Sequence, residues 1–92
     1  MLQVKDLKLN YIYSNQYFFY KVIYISKDND YAIALKYNDF RKDDYIEITI
    51  FNKNYLETEL NKNLKLVKDI ECYKLFDEFK IVGGNTIYRE RQ

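Results

Sequence analysis

The chain of 92 residues contains no histidine, no proline and no tryptophan, and it has only two glycines and one cysteine, Cys72. Without histidine there is no Ser–His or Cys–His nucleophilic pair, no histidine general base and no histidine-ligated metal. A lone cysteine excludes an internal disulfide and a zinc site built from several cysteines, so we expect Cys72 to be a small buried hydrophobe. The paired glycines form no phosphate-binding loop. We therefore predict a protein that is not an enzyme and holds no cofactor.

Two groups of acidic residues are the remaining candidates for a metal site, because hard cations such as Mg²⁺ prefer carboxylate oxygens. One group lies within residues 28–30 and the other within 39–44. Neither has the spacing of an EF-hand, and acidic residues are common in turns, so we predict no metal site. Glu47 with Glu57 or Glu59 is a candidate acid–base pair, but nothing in the sequence brings them together.

A ribonuclease without histidine is the enzyme class that this composition leaves open. Its candidate residues are Tyr88, Arg89 and Arg91 near the end of the chain. We favour a simpler interpretation, in which Arg89 pairs with Glu78 across a hairpin and Arg91 is a solvent-exposed charge.

The charges nearly balance, since fifteen basic and fourteen acidic residues give a net charge of +1 and an isoelectric point near 7.7. Domains dedicated to DNA binding usually have an isoelectric point above about 9. No stretch approaches the roughly 18 apolar residues of a membrane span, and the first residues lack the pattern of a signal peptide. We therefore expect a cytoplasmic protein with one domain, residues 1–92, that does not bind membranes.

Residues 17–37 predict a long β-hairpin that organises the fold. The first arm is rich in Tyr, Phe, Val and Ile, which suit a half-buried strand, and KDND supplies turn residues. A turn at 28–29 sets these pairs opposite each other: Lys27 with Asp30, Tyr24 with Ile33, Val22 with Leu35, Tyr20 with Tyr37, and Lys21 with Lys36. The main core is then expected on the face of Phe18, Tyr20, Val22, Tyr24, Tyr31, Ile33, Leu35 and Tyr37. The two opposed lysines argue against this register, because directly opposed like charges are unfavourable.

Four further elements are predicted before residue 69. An alternating pattern indicates a strand over 7–13, and 38–44 reads as a polar loop that contains Phe40. A second alternating stretch, 45–51, is a strand with Ile46, Ile48 and Ile50 on one side. Asn54 and Glu57 have the spacing of a capping box, which predicts a short helix over 55–61. Its Leu56 and Leu60 would pack on the small side chains at 32 and 34, and residues 64–67 suggest a short strand.

The end of the chain is predicted to be a hairpin whose type I′ turn is Gly83-Gly84. The preceding segment, 69–79, fits either a bulged strand, which we favour, or a helix. Short strands joined by turns, with one short helix, indicate a mainly β fold bordering on α+β. We expect a small antiparallel SH3-like barrel, a partly open barrel or a bent sheet.

The aromatic content of 18% comes from eleven tyrosines and six phenylalanines, more than a core of this size can hide. Tyrosine is enriched at the centres of protein interfaces. Together with acidic loop residues and an arginine that suit a protein partner, the candidate binding residues are Tyr11, Tyr13, Tyr37, Phe40, Asp43, Asp44, Tyr45, Tyr88 and Arg89. The leading hypothesis is a non-enzymatic binding protein that occupies a surface of another protein. The bias towards Lys, Asn, Ile and Tyr is typical of AT-rich genomes and favours a phage-type inhibitor of a host enzyme or defence complex.

Two other functions are kept as alternatives. A small β-barrel can bind single-stranded nucleic acid by stacking bases on tyrosines and tracking phosphates with lysines. The candidate lysines are Lys5, Lys8, Lys62, Lys65 and Lys68. The other alternative is a homodimer that binds a small ligand or nucleotide between stacked tyrosines, with the final strand of each copy exposed for pairing.

Overall fold

The computed structural model describes residues 1–38 and 41–70, with residues 41–45 described by their backbone alone. The elements in chain order are a 3-10 helical turn at Val4–Asp6, β1 at Ile12–Ser14, β2 at Phe18–Ile25, β3 at Tyr31–Asn38, β4 at Arg41–Asn52, helix α1 at Lys53–Leu56 and β5 at Lys65–Leu66. The strands pair antiparallel in one sheet, in the order β4-β3-β2-β1-β5. The prediction of a mainly β, antiparallel fold with a short helix is confirmed. Within the described ranges the sheet stays open, which fits the bent sheet among the expected architectures.

The predicted hairpin is present as β2 and β3, and its tip is closed by Ser26. The Ser26 hydroxyl oxygen accepts from the backbone N–H groups of Asp30 and Tyr31, at 2.9 and 3.1 Å. The backbone N–H of Ser26 also donates to the Tyr31 carbonyl, and Asn29 adopts a left-handed conformation with φ 59°. The connection is therefore a four-residue loop, 27–30, instead of a two-residue turn. Tyr24 lies opposite Ile33 as predicted.

An extra residue in β2, Ile23, changes the register of the rest of the hairpin. Beyond it, Val22 pairs with Ala34 and Tyr20 pairs with Lys36, so the predicted partners at 35 and 37 are wrong. The bulge removes the unfavourable opposition of Lys21 and Lys36 in the predicted register, because Lys21 lies opposite Leu35. It also places the two lysines on opposite faces of the sheet.

Lys36, which does not lie opposite Lys21, makes two favourable electrostatic contacts. Its ammonium lies 4.0 Å from the centre of the Phe18 ring and 3.5 Å from Oε2 of Glu47 on the adjacent strand. A cation over an aromatic face contributes about 0.5–1 kcal/mol at a partly exposed site. The bulge thus exchanges an unfavourable charge pair for a cation–π contact and an ion pair.

The bulge also divides the predicted core face between the two sides of the sheet. Tyr20 and Val22 lie in the main cluster, whose buried members are Val4, Leu7, Tyr13, Tyr20, Val22, Ala32, Ala34, Phe51, Leu56 and Leu64. Leu35 and Tyr37 lie in a second cluster with Ile12 on the other side. The expectation of one continuous face is therefore wrong, because one additional residue exchanges the sides of all the residues that follow it.

The first predicted strand is shorter than expected. It begins at Ile12 instead of residue 7, because a 3-10 turn and a left-handed Asn10, with φ 69°, bend the chain before it. The segment that precedes β1 still packs, since Leu7 is buried in the main cluster.

Strand β4 is longer than expected and begins at Arg41, so the prediction of a loop over 38–44 is wrong beyond residue 40. Arg41 pairs with Asn38, which leaves only residues 39 and 40 between β3 and β4. The β3–β4 pairing shifts twice, and one of the extra residues in β4 is Ile46, between Tyr45 and Glu47. The pairing is regular from Glu47 to Asn52.

Helix α1 begins two residues earlier and ends five residues earlier than predicted, at Lys53 and Leu56. Its N-cap is Asn52, whose Oδ1 accepts from the backbone N–H of Tyr55 at 2.9 Å, so the predicted cap at Asn54 is wrong. Leu56 packs in the main cluster with Ala32 and Ala34, as expected from their small side chains. In the part of the chain that the structure describes, no helix has the length and apolar character needed to cross a membrane.

The predicted short strand near 64–67 is confirmed as β5, which pairs with β1. Four other predictions lie outside the described residues: the structure of 71–79, the burial of Cys72, the hairpin with its turn at 83–84, and the pairing of Arg89 with Glu78.

Candidate protein-binding surface

Of the binding residues proposed from sequence, Tyr11 is exposed, whereas Tyr13 and Tyr37 are not. Tyr11 has 43% of its surface exposed, and the other two have 2% and 3%. Tyr13 points into the main cluster, where its hydroxyl accepts from the backbone N–H of Lys8 at 2.9 Å. Tyr37 sits on β3 between β2 and β4 and packs with Ile12. The expectation that Tyr13 and Tyr37 lie at the surface is therefore wrong.

Of the other proposed residues, Tyr45 lies opposite Tyr37 in the β3–β4 pairing. Asp43, Asp44 and Tyr45 lie on β4, with their backbone in the strand and their side chains outside the description. Phe40, Tyr88 and Arg89 fall outside the described residues.

A different apolar surface stands out on the side of the sheet away from the main cluster. We call it the outer patch, and it consists of Tyr24, Tyr31, Ile33, Ile48 and Ile50. Tyr24 pairs with Ile33, which pairs with Ile50, so one row crosses three neighbouring strands. The rings of Tyr24 and Tyr31 lie with their centres 6.0 Å apart. The patch is thus a continuous surface that extends from the hairpin tip to β4.

Four of the five members are exposed as large apolar side chains: Tyr24 by 46%, Tyr31 by 37%, Ile48 by 41% and Ile50 by 55%. Single exposed apolar residues are normal on protein surfaces, whereas large contiguous apolar patches are a feature of many interaction sites. The tip loop beside Tyr24 and Tyr31 carries the exposed charges of Lys27, Asp28 and Asp30.

The isoleucines of β4 face outwards because the core side of this strand is already occupied. Phe51 packs between Tyr20 and Tyr55, with ring centres 4.9 and 5.5 Å away. Thr49, which pairs with Ala34, is buried on the same side. Side chains alternate along a strand, so Ile48 and Ile50 must point to the other face. The sequence had correctly predicted that Ile48 and Ile50 share one side of the strand, but it gave no signal for which side of the sheet that is.

A cleft of about 550 Å³ lies at the opposite side of the hairpin tip, between the N-terminal residues, the tip loop and α1. Its apolar wall includes Leu2 and Leu56, and its charged rim includes Lys5, Lys53 and Asp30. No tyrosine lines it. The cleft therefore differs from the pocket of stacked tyrosines expected for a nucleotide binder.

A buried polar network links the β1–β2 turn to the segment after α1. The Asn15 side-chain amide donates to Oδ1 of Asn61 at 3.0 Å, and the Asn61 amide donates to the Tyr55 carbonyl at 3.2 Å. The hydroxyls of Tyr20 and Tyr55 lie 3.5 Å apart. Burial, and then the bond with Tyr55, raise the pKa of Tyr20 well above its usual value. The Tyr20 hydroxyl therefore stays protonated and serves the packing of the fold.

Among residues 1–38 and 41–70, no group of three or more histidine, cysteine, aspartate or glutamate side chains is placed to hold a metal ion. The outer patch is thus the described feature with the clearest capacity for recognition. Comparison with protein-family models, with curated proteins and with solved structures found no match.

Proposed function

We propose that the chain is a small non-enzymatic, cytoplasmic binding protein that acts by covering a surface of another protein with its outer patch. The specific version is a mobile-element inhibitor that blocks a host enzyme or defence complex. The observation that carries the proposal is the row formed by Tyr24, Ile33 and Ile50, which offers an uncharged aromatic and aliphatic surface on a rigid sheet.

The chemistry of the patch favours a protein partner over a small ligand. Tyrosine supplies a large contact area while losing little conformational entropy, and it is enriched among residues that dominate binding energy. The patch lies on paired strands, so little backbone ordering is needed on binding. Small-ligand sites are concave, whereas the outer patch lies on the exposed face of an open sheet, so it fits the face of another protein better than it encloses a small molecule.

The decisive experiment compares two double variants in capture from a lysate of the natural host, with and without nuclease. Tyr24→Ser with Tyr31→Ser removes the aromatic part of the patch. Tyr11→Ser with Tyr17→Ser is the matched control, because it removes two tyrosines that are also exposed but lie outside the patch.

We expect a protein partner that resists nuclease and is lost with the patch variant but retained by the control. Two interface tyrosines at about 1 kcal/mol each correspond to about thirty-fold in Kd, which titration with the isolated partner would measure. Inhibition of that partner's activity by the wild-type protein, and not by the patch variant, would support the inhibitor version. Loss of capture only in the control variant would move the site to Tyr11 or Tyr17 and refute the patch.

Single-stranded nucleic acid is the second candidate, because all five lysines proposed from sequence are exposed: Lys5, Lys8, Lys62, Lys65 and Lys68. One of them, Lys62, is engaged by Glu59 at 3.0 Å. Binding to phosphates weakens steeply as salt rises, by about 0.7 log unit per log unit of salt for each contact on a single strand. Capture that disappears with nuclease and falls steeply with salt would favour this candidate over a protein partner.

A further inference from the structure

Strand β4 forms one edge of the sheet and has the features of a strand that pairs with another chain. In the described part of the protein, β3 is the only strand hydrogen-bonded to it. Natural proteins blunt such edges by keeping them short, by proline or by charged side chains. β4 has twelve residues, and the chain contains no proline. The charged residues of β4 are Arg41, Lys42, Asp43, Asp44 and Glu47, so residues 48–52 of this edge carry no charge, and the isoleucines at 48 and 50 are exposed.

We propose that β4 pairs antiparallel with β4 of a second copy of this chain, with the two-fold axis at Thr49. This axis lies inside the stretch Glu47–Asn52, where the pairing with β3 is regular. Thr49 then lies opposite Thr49 of the second copy, so no like charges meet at the axis. Ile48 faces Ile50 of the second copy and Ile50 faces its Ile48, so four isoleucines meet on the outer side.

The charges and the bulge distinguish this register from those with the axis at Glu47 or at Ile48. With the axis at Thr49, the one charged residue of the stretch, Glu47, faces Phe51 and no like charge. An axis at Glu47 would oppose two carboxylates, which is unfavourable. An axis at Ile48 would require Ile46, the extra residue of the β3–β4 pairing, to join the new ladder opposite Ile50. A second copy is thus the partner for which the edge is already self-complementary.

The axis runs perpendicular to the sheet, so both copies keep their outer sides on the same face. The two outer patches would then adjoin along the seam, since Ile48 and Ile50 belong to each of them. The dimer does not depend on the proposed function. The variants that test partner capture are at Tyr24 and Tyr31, on β2 and β3, and leave the edge untouched.

A charge-swap pair of variants provides the first test, read by light scattering coupled to size exclusion. Ile48→Lys with Ile50→Lys places lysine opposite lysine twice across the seam, and we expect a monomer. Ile48→Lys with Ile50→Glu places lysine opposite glutamate twice, and we expect the dimer to return. Circular dichroism checks that both variants fold, and Leu9→Lys, at an exposed position outside the sheet, is a control that should stay dimeric.

Cross-linking provides a second test, and its reporting variant keeps the isoleucines. In a background with Cys72→Ser, Thr49→Cys should form a disulfide between copies, because opposed residues have Cα atoms about 4.5–5.5 Å apart, within the range of a disulfide. Ile50→Cys is the control. Each residue 50 lies opposite residue 48 of the other copy, so the two residues 50 are two positions apart along the strands and their Cα atoms are more than about 7 Å apart.

The expected result is a wild-type dimer whose Thr49→Cys variant cross-links at least ten-fold more than Ile50→Cys. A monomeric wild-type protein at about 0.5 mM would overturn the proposal. Equal cross-linking of the two cysteine variants, or a folded Lys–Glu variant that stays monomeric, would do the same.

Discussion

Asn61 offers a quantitative test of the packing, because it is a fully buried polar residue at the junction of two distant segments. Its exposed fraction is 0%, and its side chain bonds to Asn15, to the Tyr55 carbonyl and, at 3.4 Å, to the Thr58 hydroxyl. A typical intramolecular hydrogen bond contributes about 1 kcal/mol net. Counting the two shorter bonds and a small cavity, we expect Asn61→Ala to lower the free energy of unfolding by about 2.5 kcal/mol. For a domain of this size the melting temperature should fall by about 10–20 °C.

Urea unfolding followed by circular dichroism and tyrosine fluorescence measures the effect, and two further variants isolate its cause. Asn63→Ala is the matched control, since Asn63 lies in the same turn but is exposed, and its change should stay within about 0.5 kcal/mol. Asn61→Leu keeps most of the volume and removes the bonds, so it should also destabilise. If Asn61→Ala costs less than about 1 kcal/mol, or if Asn61→Leu matches the wild type, the network does not hold these segments together.

Two further predictions concern single groups. The pKa of Tyr20 is raised in the folded state, so the folded protein keeps a proton that the unfolded chain loses above the ordinary pKa of 10.0. The free energy of unfolding should therefore decline as pH rises past 10, by at most about 1.4 kcal/mol per pH unit. Tyr20→Phe should flatten that decline in unfolding curves measured against pH. Equal slopes for both proteins would contradict the assignment. Asn52→Ala should lower the free energy of unfolding by about 1 kcal/mol, because it removes the acceptor of the Tyr55 N–H, whereas Asn54→Ala should change it little. If urea unfolding shows the larger loss for Asn54→Ala, the N-cap is Asn54.

The sequence predicted the type of most described elements but not their limits. Alternating aromatic and β-branched residues identified β2, β3 and the second half of β4, because such residues suit a pleated strand. The first half of β4 was missed, since the polar run that begins at Arg41 resembles a loop until its pairing with Asn38 is known. Helix α1 shifted because Asn52 and Asn54 are chemically equivalent caps. The residue at which β4 ends decides which of the two asparagines is the N-cap.

The outer patch was missed for a reason that lies in the bulge. An alternating strand has two faces, and the pattern alone does not say which one is buried. The sequence placed Tyr24 with Tyr20 on one face, whereas Ile23 separates them. The one local signal was the unfavourable opposition of Lys21 and Lys36, and it marked the segment in which the register changes. Tyr37 shows the opposite error, because it was predicted to be exposed and is buried. An aromatic residue on a central strand is more often buried than exposed.

The bulge also governs how the length of this hairpin can change during evolution. A residue gained or lost elsewhere in β2 would move the neighbouring side chains to the opposite face of the sheet. Ile23 is different, because its removal would leave Tyr24 opposite Ile33 and Val22 opposite Ala34 on an uninterrupted ladder. Diverging copies of this chain can therefore shorten β2 by one residue at this position and still keep every other side chain on its present side of the sheet.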